Sequence, residues 1–190
     1  MTVGILLLAA GRGRRFGADK RFATLADGRT LLESTLDAAV ASGLPICVCL
    51  RPQDDAARAL VSSRNIPSLV CSRAEEGMGA VLAQGVSAAA NWQGLLIALA
   101  DMPWILPETY REVASAMPAQ GICRPVYRGI PGHPVAFHRC FFPQLAKLSG
   151  DTGARALLSA QRAQLNELAV EDPGILRDVD LPEQLLEQGD

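Results

Sequence analysis

A three-layer α/β sandwich around a mostly parallel sheet is the fold that the 190-residue sequence predicts, on three observations. Two six-residue apolar runs, Ile5–Ala10 and Leu95–Ala100, are continuous rather than alternating, which is how strands buried on both faces read. Apolar residues at helical spacing stand between the strand-like runs, giving the alternation that right-handed crossovers wind into a parallel sheet. Gly11 closes the first run and Pro103 stops the second, so both strands end where loops begin.

The first strand is Val3–Ala9. After a polar, glycine-containing loop, Leu31, Leu32, Thr35, Leu36, Ala39 and Val40 recur at helical spacing and stop at Gly43. Ile46–Leu50 follows as a strand, Asp54–Val61 as a helix, Ser68–Cys71 as a short strand and Ala80–Ala90 as a helix of mostly small residues. After Leu95–Ala100, Met102-Pro103 breaks the strand and Pro107 suits the first turn of another helix. Beyond Gly121 the regularity loosens: Ile122–Val126, a turn at Arg128-Gly129, then Gly132-His133-Pro134 before Val135–Phe137 read as an inserted antiparallel hairpin or flap. Helical patterns return around Phe141–Leu148 and Gly153–Ala160, with a strand near Leu168–Val170 and a terminal helix after Pro182. The expected architecture is a Rossmann-like three-layer sandwich with a small antiparallel insertion, one domain over residues 1–190.

Composition excludes several classes of function. Lys and Arg total 18 against 20 Asp and Glu, a net charge of −2, and 49% of residues are hydrophobic, too many for a disordered chain. No apolar run approaches the roughly 20 residues that cross a bilayer. No Lys or Arg precedes the first run, as it would in a signal peptide, so the expected location is cytoplasmic, with no membrane partner. The five cysteines form no CxxC pair and read as buried or idle thiols. Near-neutral charge with 5% aromatics gives no nucleic-acid surface. The charge is unevenly placed, however. Arg12, Arg14, Arg15, Lys20 and Arg21 crowd one early segment, while acidic residues crowd the tail.

That early segment carries the chemistry. In Leu8-Ala9-Ala10-Gly11-Arg12-Gly13-Arg14-Arg15-Phe16-Gly17-Ala18-Asp19-Lys20, three glycines just past a strand let backbone N–H groups face an anion, and Arg15 and Lys20 add full charges. The spacing matches neither the dinucleotide fingerprint nor the Walker loop. Asp101, directly after the second buried strand, should emerge at the same sheet edge, where a carboxylate facing a polyphosphate calls for an intervening Mg²⁺. Asp180 or Asp178 is a second candidate, and Asp180 also suits a helix cap before Pro182. Gly77-Met78-Gly79 allows close backbone approach to a base or ribose, or is an ordinary turn. His133, one of two histidines, sits in a rigid Gly-His-Pro turn.

In this order, Leu8-Ala9-Ala10-Gly11 through Lys20, Gly77-Met78-Gly79, Asp101-Met102-Pro103, Gly132-His133-Pro134 and Asp178-Val179-Asp180-Leu181-Pro182-Glu183 resemble the molybdenum-cofactor nucleotidyltransferases, over residues 3 to about 187. The resemblance implies transfer of a nucleoside monophosphate from an NTP to the terminal phosphate of molybdopterin, with release of pyrophosphate. It implies a backbone cradle at Gly11, Gly13 and Gly17, with Leu8, Ala9, Ala10, Gly77 and Gly79 beside the nucleotide. Arg15 and Lys20 would hold the β- and γ-phosphates, Asp101 and Asp180 the Mg²⁺, and His133 the acceptor side. Ala10 is similar to the cytidine-transferring members, which favours CTP over GTP. The implied partners are a molybdopterin-type phosphate acceptor and a recipient molybdoenzyme or its insertion chaperone. The chain departs from the family at Gly13 and Ala80, where Ser is common, and at Leu181 and Gln184 in the closing motif. Three other readings stand beside this one: a sugar-phosphate nucleotidyltransferase, a non-catalytic cofactor carrier, and a nicotinamide oxidoreductase. The last lacks its acidic residue after the second strand, where Leu50-Arg51-Pro52 stands.

Overall fold

The structure, a computed structural model, describes residues 2–11 and 16–186. In chain order its strands are β1 (Val3–Leu8), β2 (Ile46–Leu50), β3 (Ser68–Val70), β4 (Gly94–Leu99), β5 (Ile122–Tyr127), β6 (Ile130–Pro131), β7 (Val135–His138) and β8 (Leu165–Ala169). The helices are α1 (Leu31–Ala41), α2 (Asp55–Ser63), α3 (Met78–Gly85), α4 (Pro107–Ser115), α5 (Phe142–Leu145) and α6 (Arg155–Ala160), supplemented by short 3₁₀ turns. Among the described residues no helix is long and apolar enough to cross a membrane.

All strands join one sheet in the order β3-β2-β1-β4-β7-β5-β6, with β8 on the other side of β5. The first four are parallel; β7 runs antiparallel to β4, and β5 antiparallel to β7. The antiparallel segment therefore extends the main sheet and does not stand over it as a flap. Arg128 (φ 48°) and Gly129 (φ 82°) make the tight turn from β5 into β6, as two left-handed residues do in the favoured hairpin turns. Gly132-His133-Pro134 then interrupts the returning strand before β7. A Cβ at Gly132 would run into the carbonyl oxygen of Ile175, so glycine is what lets the Pro173–Leu176 turn pack there.

β1 is buried along its whole length, and its alternating side chains face two separate cores. Ile5 and Leu7 pack with Leu32 and Leu36 of α1, Val61 of α2 and Val113 of α4. Leu6 and Leu8 pack with Val81 and Leu82 of α3, Phe137 of β7 and Leu145 of α5. Helices on both faces of one sheet are the predicted three layers. α1 starts with a capping box: Thr30 Oγ1 accepts from the Glu33 N–H, and the Glu33 carboxylate accepts from the Thr30 N–H. The expected terminal helix is a 3₁₀ turn over Pro182–Leu186. Gln184 Oε1 accepts from the N–H groups of Asp180 and Leu181 just before it.

Chain order reverses between β1 and β4, since β1 leads outward to β2 and β4 returns on its other side. Ligands of open α/β sheets bind in the crevice at such a switch point, beyond the carboxyl ends of the strands. Leu8 and Leu99 are aligned in register, so Ala9–Gly11 and Ala100–Asp101 leave the sheet side by side.

Candidate active site

Three residues far apart in sequence meet at that edge. Lys20 Nζ donates to Asp101 Oδ2 at 2.8 Å, to Asp180 Oδ1 at 3.0 Å and to the Val179 carbonyl at 2.7 Å. Asp101 is there because β4 ends one residue before Ala100; Lys20 opens a 3₁₀ turn whose cap is Asp19. Asp180 arrives because the tail is tied down on either side of Val179. The Val179 N–H donates to the Asp101 carbonyl at 2.9 Å, and the Val179 side chain is buried with Leu25 and Leu31. Between the two candidates in the tail, the tertiary structure brings Asp180 to Lys20, while the charge of Asp178 acts on His133. Burial alone would lower the pKa of the Lys20 ammonium, but Asp101 and Asp180 outweigh it and raise the value.

Asp101 Oδ1 is buried and has no hydrogen-bond partner. A carboxylate oxygen without a donor is costly in such a place and is ready to accept a cation. The Asp101 and Asp180 carboxylates, both reaching one point, are hard-oxygen donors of the kind that suits a divalent ion such as Mg²⁺ or Mn²⁺, ions that leave much of their coordination to phosphates and water. Among the described residues no group of three or more His, Cys, Asp or Glu side chains is placed to hold a metal by itself.

The carbonyls at the end of β1 are pinned from behind. Arg21 donates to the Ala9 carbonyl and pairs with Asp54 and Asp19, while Arg51 donates to the Gly11 carbonyl at 3.0 Å and pairs with Asp19. Arg21 is only 3% exposed, and these two carboxylates neutralise it. It is thus a support for the loop and not a free phosphate ligand. The reading of the early segment as an undivided basic cluster missed this, and the nearby acids Asp19 and Asp54 were the signal for it. Gly13 and Arg15, both expected in the phosphate loop, lie outside the described residues.

Two cavities open from this edge. The first, of about 340 Å³, is lined on one side by Leu8, Ala9, Ala10, Gly11, Lys20 and Asp101 and on the other by Glu75, Gly77 and Met78. The second, of about 600 Å³, has His133, Arg124, Arg155 and Arg162 among apolar side chains that include Leu82, Ile97 and Phe137. Leu8, Met78, Leu99 and Asp151 belong to both, so the cavities share a wall. His133 is kept mostly neutral: burial lowers its pKa below the usual 6.5, against the opposing pull of a backbone contact with Ile97 and the charges of Asp101 and Asp178. Its Nδ1 has no partner.

Gly79 and Gly17 stand apart from these linings. The Gly79 N–H donates to the Gly150 carbonyl at 2.7 Å, and a Cβ on it would come within 2.7 Å of the Ser149 carbonyl. Gly77, at φ 112°, is crowded by Asp151 and Gly150 in the same way. Both glycines thus admit the 149–151 loop, and Gly77 also faces the cavity. Gly17, at φ 78°, is exposed with open space around it. Sequence reasoning gave no place to Asp151, Arg155 or Arg162; the glycine-flanked polar stretch Gly150-Asp151-Thr152-Gly153 was the available signal. The five cysteines are unpaired, and four are buried.

The model of the MobA-like NTP transferase domain matches residues 5–166. The chain belongs to this family. Among its relatives, the purine catabolism protein PucB of Bacillus subtilis (strain 168) is 30% identical, with 94% of this chain and 92% of PucB covered. The nicotine blue oxidoreductase of Paenarthrobacter nicotinovorans is 28% identical, with 95% and 93% covered. Rv0371c from Mycobacterium tuberculosis H37Rv superposes with a TM-score of 0.87 at 32% identity, covering 99% of this chain and 98% of that one. A second structure of Rv0371c is a complex with manganese. This MobA-like NTP transferase is accordingly a nucleotidyltransferase, with the fold its sequence implied.

Proposed function

We propose that the chain, acting as one domain, transfers a nucleoside monophosphate, CMP in preference, from an NTP to the terminal phosphate of a molybdopterin-type acceptor. The observation that carries this is the convergence of Lys20, Asp101 and Asp180 at the sheet's switch point, where Lys20 and Asp101 line one cavity with Gly11 and a larger cavity lined by arginines adjoins it.

In this reading the nucleotide lies in the first cavity, with its triphosphate toward Gly11 and Lys20. An acceptor phosphate oxygen bonds to the α-phosphorus as the bond to the β-phosphate oxygen breaks, and pyrophosphate leaves. No protein base is needed, because the acceptor phosphate is already ionised; positioning and charge neutralisation supply the catalysis. Asp101 and Asp180 would hold Mg²⁺, which supplies neutralisation of the charge between carboxylates and phosphates; the manganese complex of Rv0371c supports a divalent ion here. Arg15 and Lys20 bind the β- and γ-phosphates.

The second cavity supports an acceptor with a flat, largely apolar body and an anionic end. Arg124, Arg155 and Arg162 supply charge for the anionic end, and Leu82, Ile97 and Phe137 supply apolar surface for the body. Neutral His133 lines the acceptor side. Ala10 in the first cavity, by its likeness to the cytidine-transferring members, supports CTP. Against a nicotinamide cofactor, Arg51 stands where an acidic ribose ligand would, already bonded to Gly11.

Calorimetry with CTP, GTP, ATP and NADP⁺, with and without Mg²⁺, tests the reading. CTP should bind most tightly, need Mg²⁺, and be lost with Asp101→Asn or Lys20→Ala; pyrophosphate release should then follow only when molybdopterin is added. Binding of NADP⁺ alone would overturn the proposal.

A further inference from the structure

An ammonium group has three N–H bonds, and that of Lys20 has three acceptors: Asp101 Oδ2 at 2.8 Å, Asp180 Oδ1 at 3.0 Å and the Val179 carbonyl at 2.7 Å. All of its donors are used, so in this state Lys20 has none to offer a phosphate. It also stands at the point on which the two carboxylates converge. With the three donors so placed, the phosphate-binding role of Lys20 and the cation-binding role of Asp101 with Asp180 exclude each other.

We propose that Lys20 is a nucleotide-released counter-ion, which closes the Asp101–Asp180 pair to divalent cations until a triphosphate draws the ammonium away. The proposal rests on the nucleotidyltransferase reading of the site. A lone divalent cation would have to displace a half-buried ammonium from two carboxylates and also give up part of a tightly held hydration shell. A triphosphate offsets both costs, since it offers acceptors to the ammonium and oxygen ligands to the cation. The move is short and local. Lys20 and Gly11 line one cavity, and the flexible four-carbon stem of lysine can carry Nζ across it without moving the backbone. Asp101 Oδ1, buried and unpartnered, is the oxygen that the ammonium leaves unsatisfied. The consequence is ordered loading: the metal enters with the nucleotide, and the empty protein does not gather cations.

The test is Mn²⁺ binding to the nucleotide-free protein, read from the electron paramagnetic resonance signal of the free ion, for wild type, Lys20→Met and Lys20→Gln. Either variant, shown by thermal unfolding to be folded, should bind Mn²⁺ at least about tenfold more tightly than wild type, because the competing cation is gone. Adding Asp180→Asn to the folded variant should abolish that gain. Mn²⁺ binding by the Lys20 variants no tighter than wild type would overturn the counter-ion role. If wild type still binds CTP with Mn²⁺ in that case, the nucleotidyltransferase reading survives alone. If no form takes up Mn²⁺ even with CTP, both fall together.

Discussion

Arg21 lies one position beyond Lys20, yet the two side chains do different work. Both line the first cavity, but the Arg21 guanidinium is 3% exposed, pairs with Asp54 and Asp19 and donates to the Ala9 carbonyl, whereas the Lys20 ammonium pairs with Asp101 and Asp180. Removing one partner of a buried pair leaves charge uncompensated. Asp54→Ala should therefore cost about 3 kcal/mol in urea unfolding and also weaken nucleotide binding, because the end of β1 loses its support. Asp19 gives the pH signature of the same network. Burial alone would raise its pKa above 3.8, but Arg21 and Arg51 hold it lower. A carboxyl whose native pKa lies below its unfolded value adds stability that is complete above about pH 4 and is lost as pH falls through the native value. The urea midpoint of the wild type should thus drop more steeply below pH 4 than that of Asp19→Asn; parallel curves would show that the pairing adds nothing.

At the scale of elements, the start of α3 and the 149–153 loop form one unit. Gly77 at φ 112° has Asp151 and Gly150 packed where a side chain would be, and the Gly79 N–H closes the contact on the Gly150 carbonyl. Gly77→Ala should destabilise the fold by about 1–3 kcal/mol and push Asp151 off the shared cavity wall, so nucleotide affinity falls together with the melting temperature. Thr30→Ala is the contrast. It removes the capping box of α1, away from both cavities, and should cost about 1 kcal/mol in chemical unfolding with nucleotide affinity unchanged. Elements with strong periodicity or buried apolar runs were legible in the sequence, and their ends shift by only a few residues. Legibility failed where a long-range contact set the conformation. The terminal helix becomes a 3₁₀ turn in which Gln184 reaches back to the Asp180 and Leu181 N–H groups, and the placement of the expected antiparallel hairpin within the main sheet follows from the pairing of β7 with β4.

Over the whole molecule, one sheet separates two cores and gathers two adjoining cavities at one edge. The division of labour between the cavities can be tested. Arg155→Ala and Arg162→Ala should each raise the KM for the acceptor about tenfold, the worth of a charge-assisted hydrogen bond, with calorimetric affinity for CTP unchanged. Equal losses for both ligands would show that the cavities act as one site.

By itself the sequence determined the three-layer class, the buried strands β1 and β4, the loop that follows β1 and the carboxylate that follows β4, because burial periodicity and strand-end punctuation are local properties. Which of Asp178 and Asp180 meets Lys20, which early basic residue is already neutralised, and where Arg155 and Arg162 gather were decided only by the tertiary structure. Those outcomes depend on charges and backbone groups up to 160 residues apart, as Lys20 and Asp180 are, and the distance between such groups exists only once the sheet has formed.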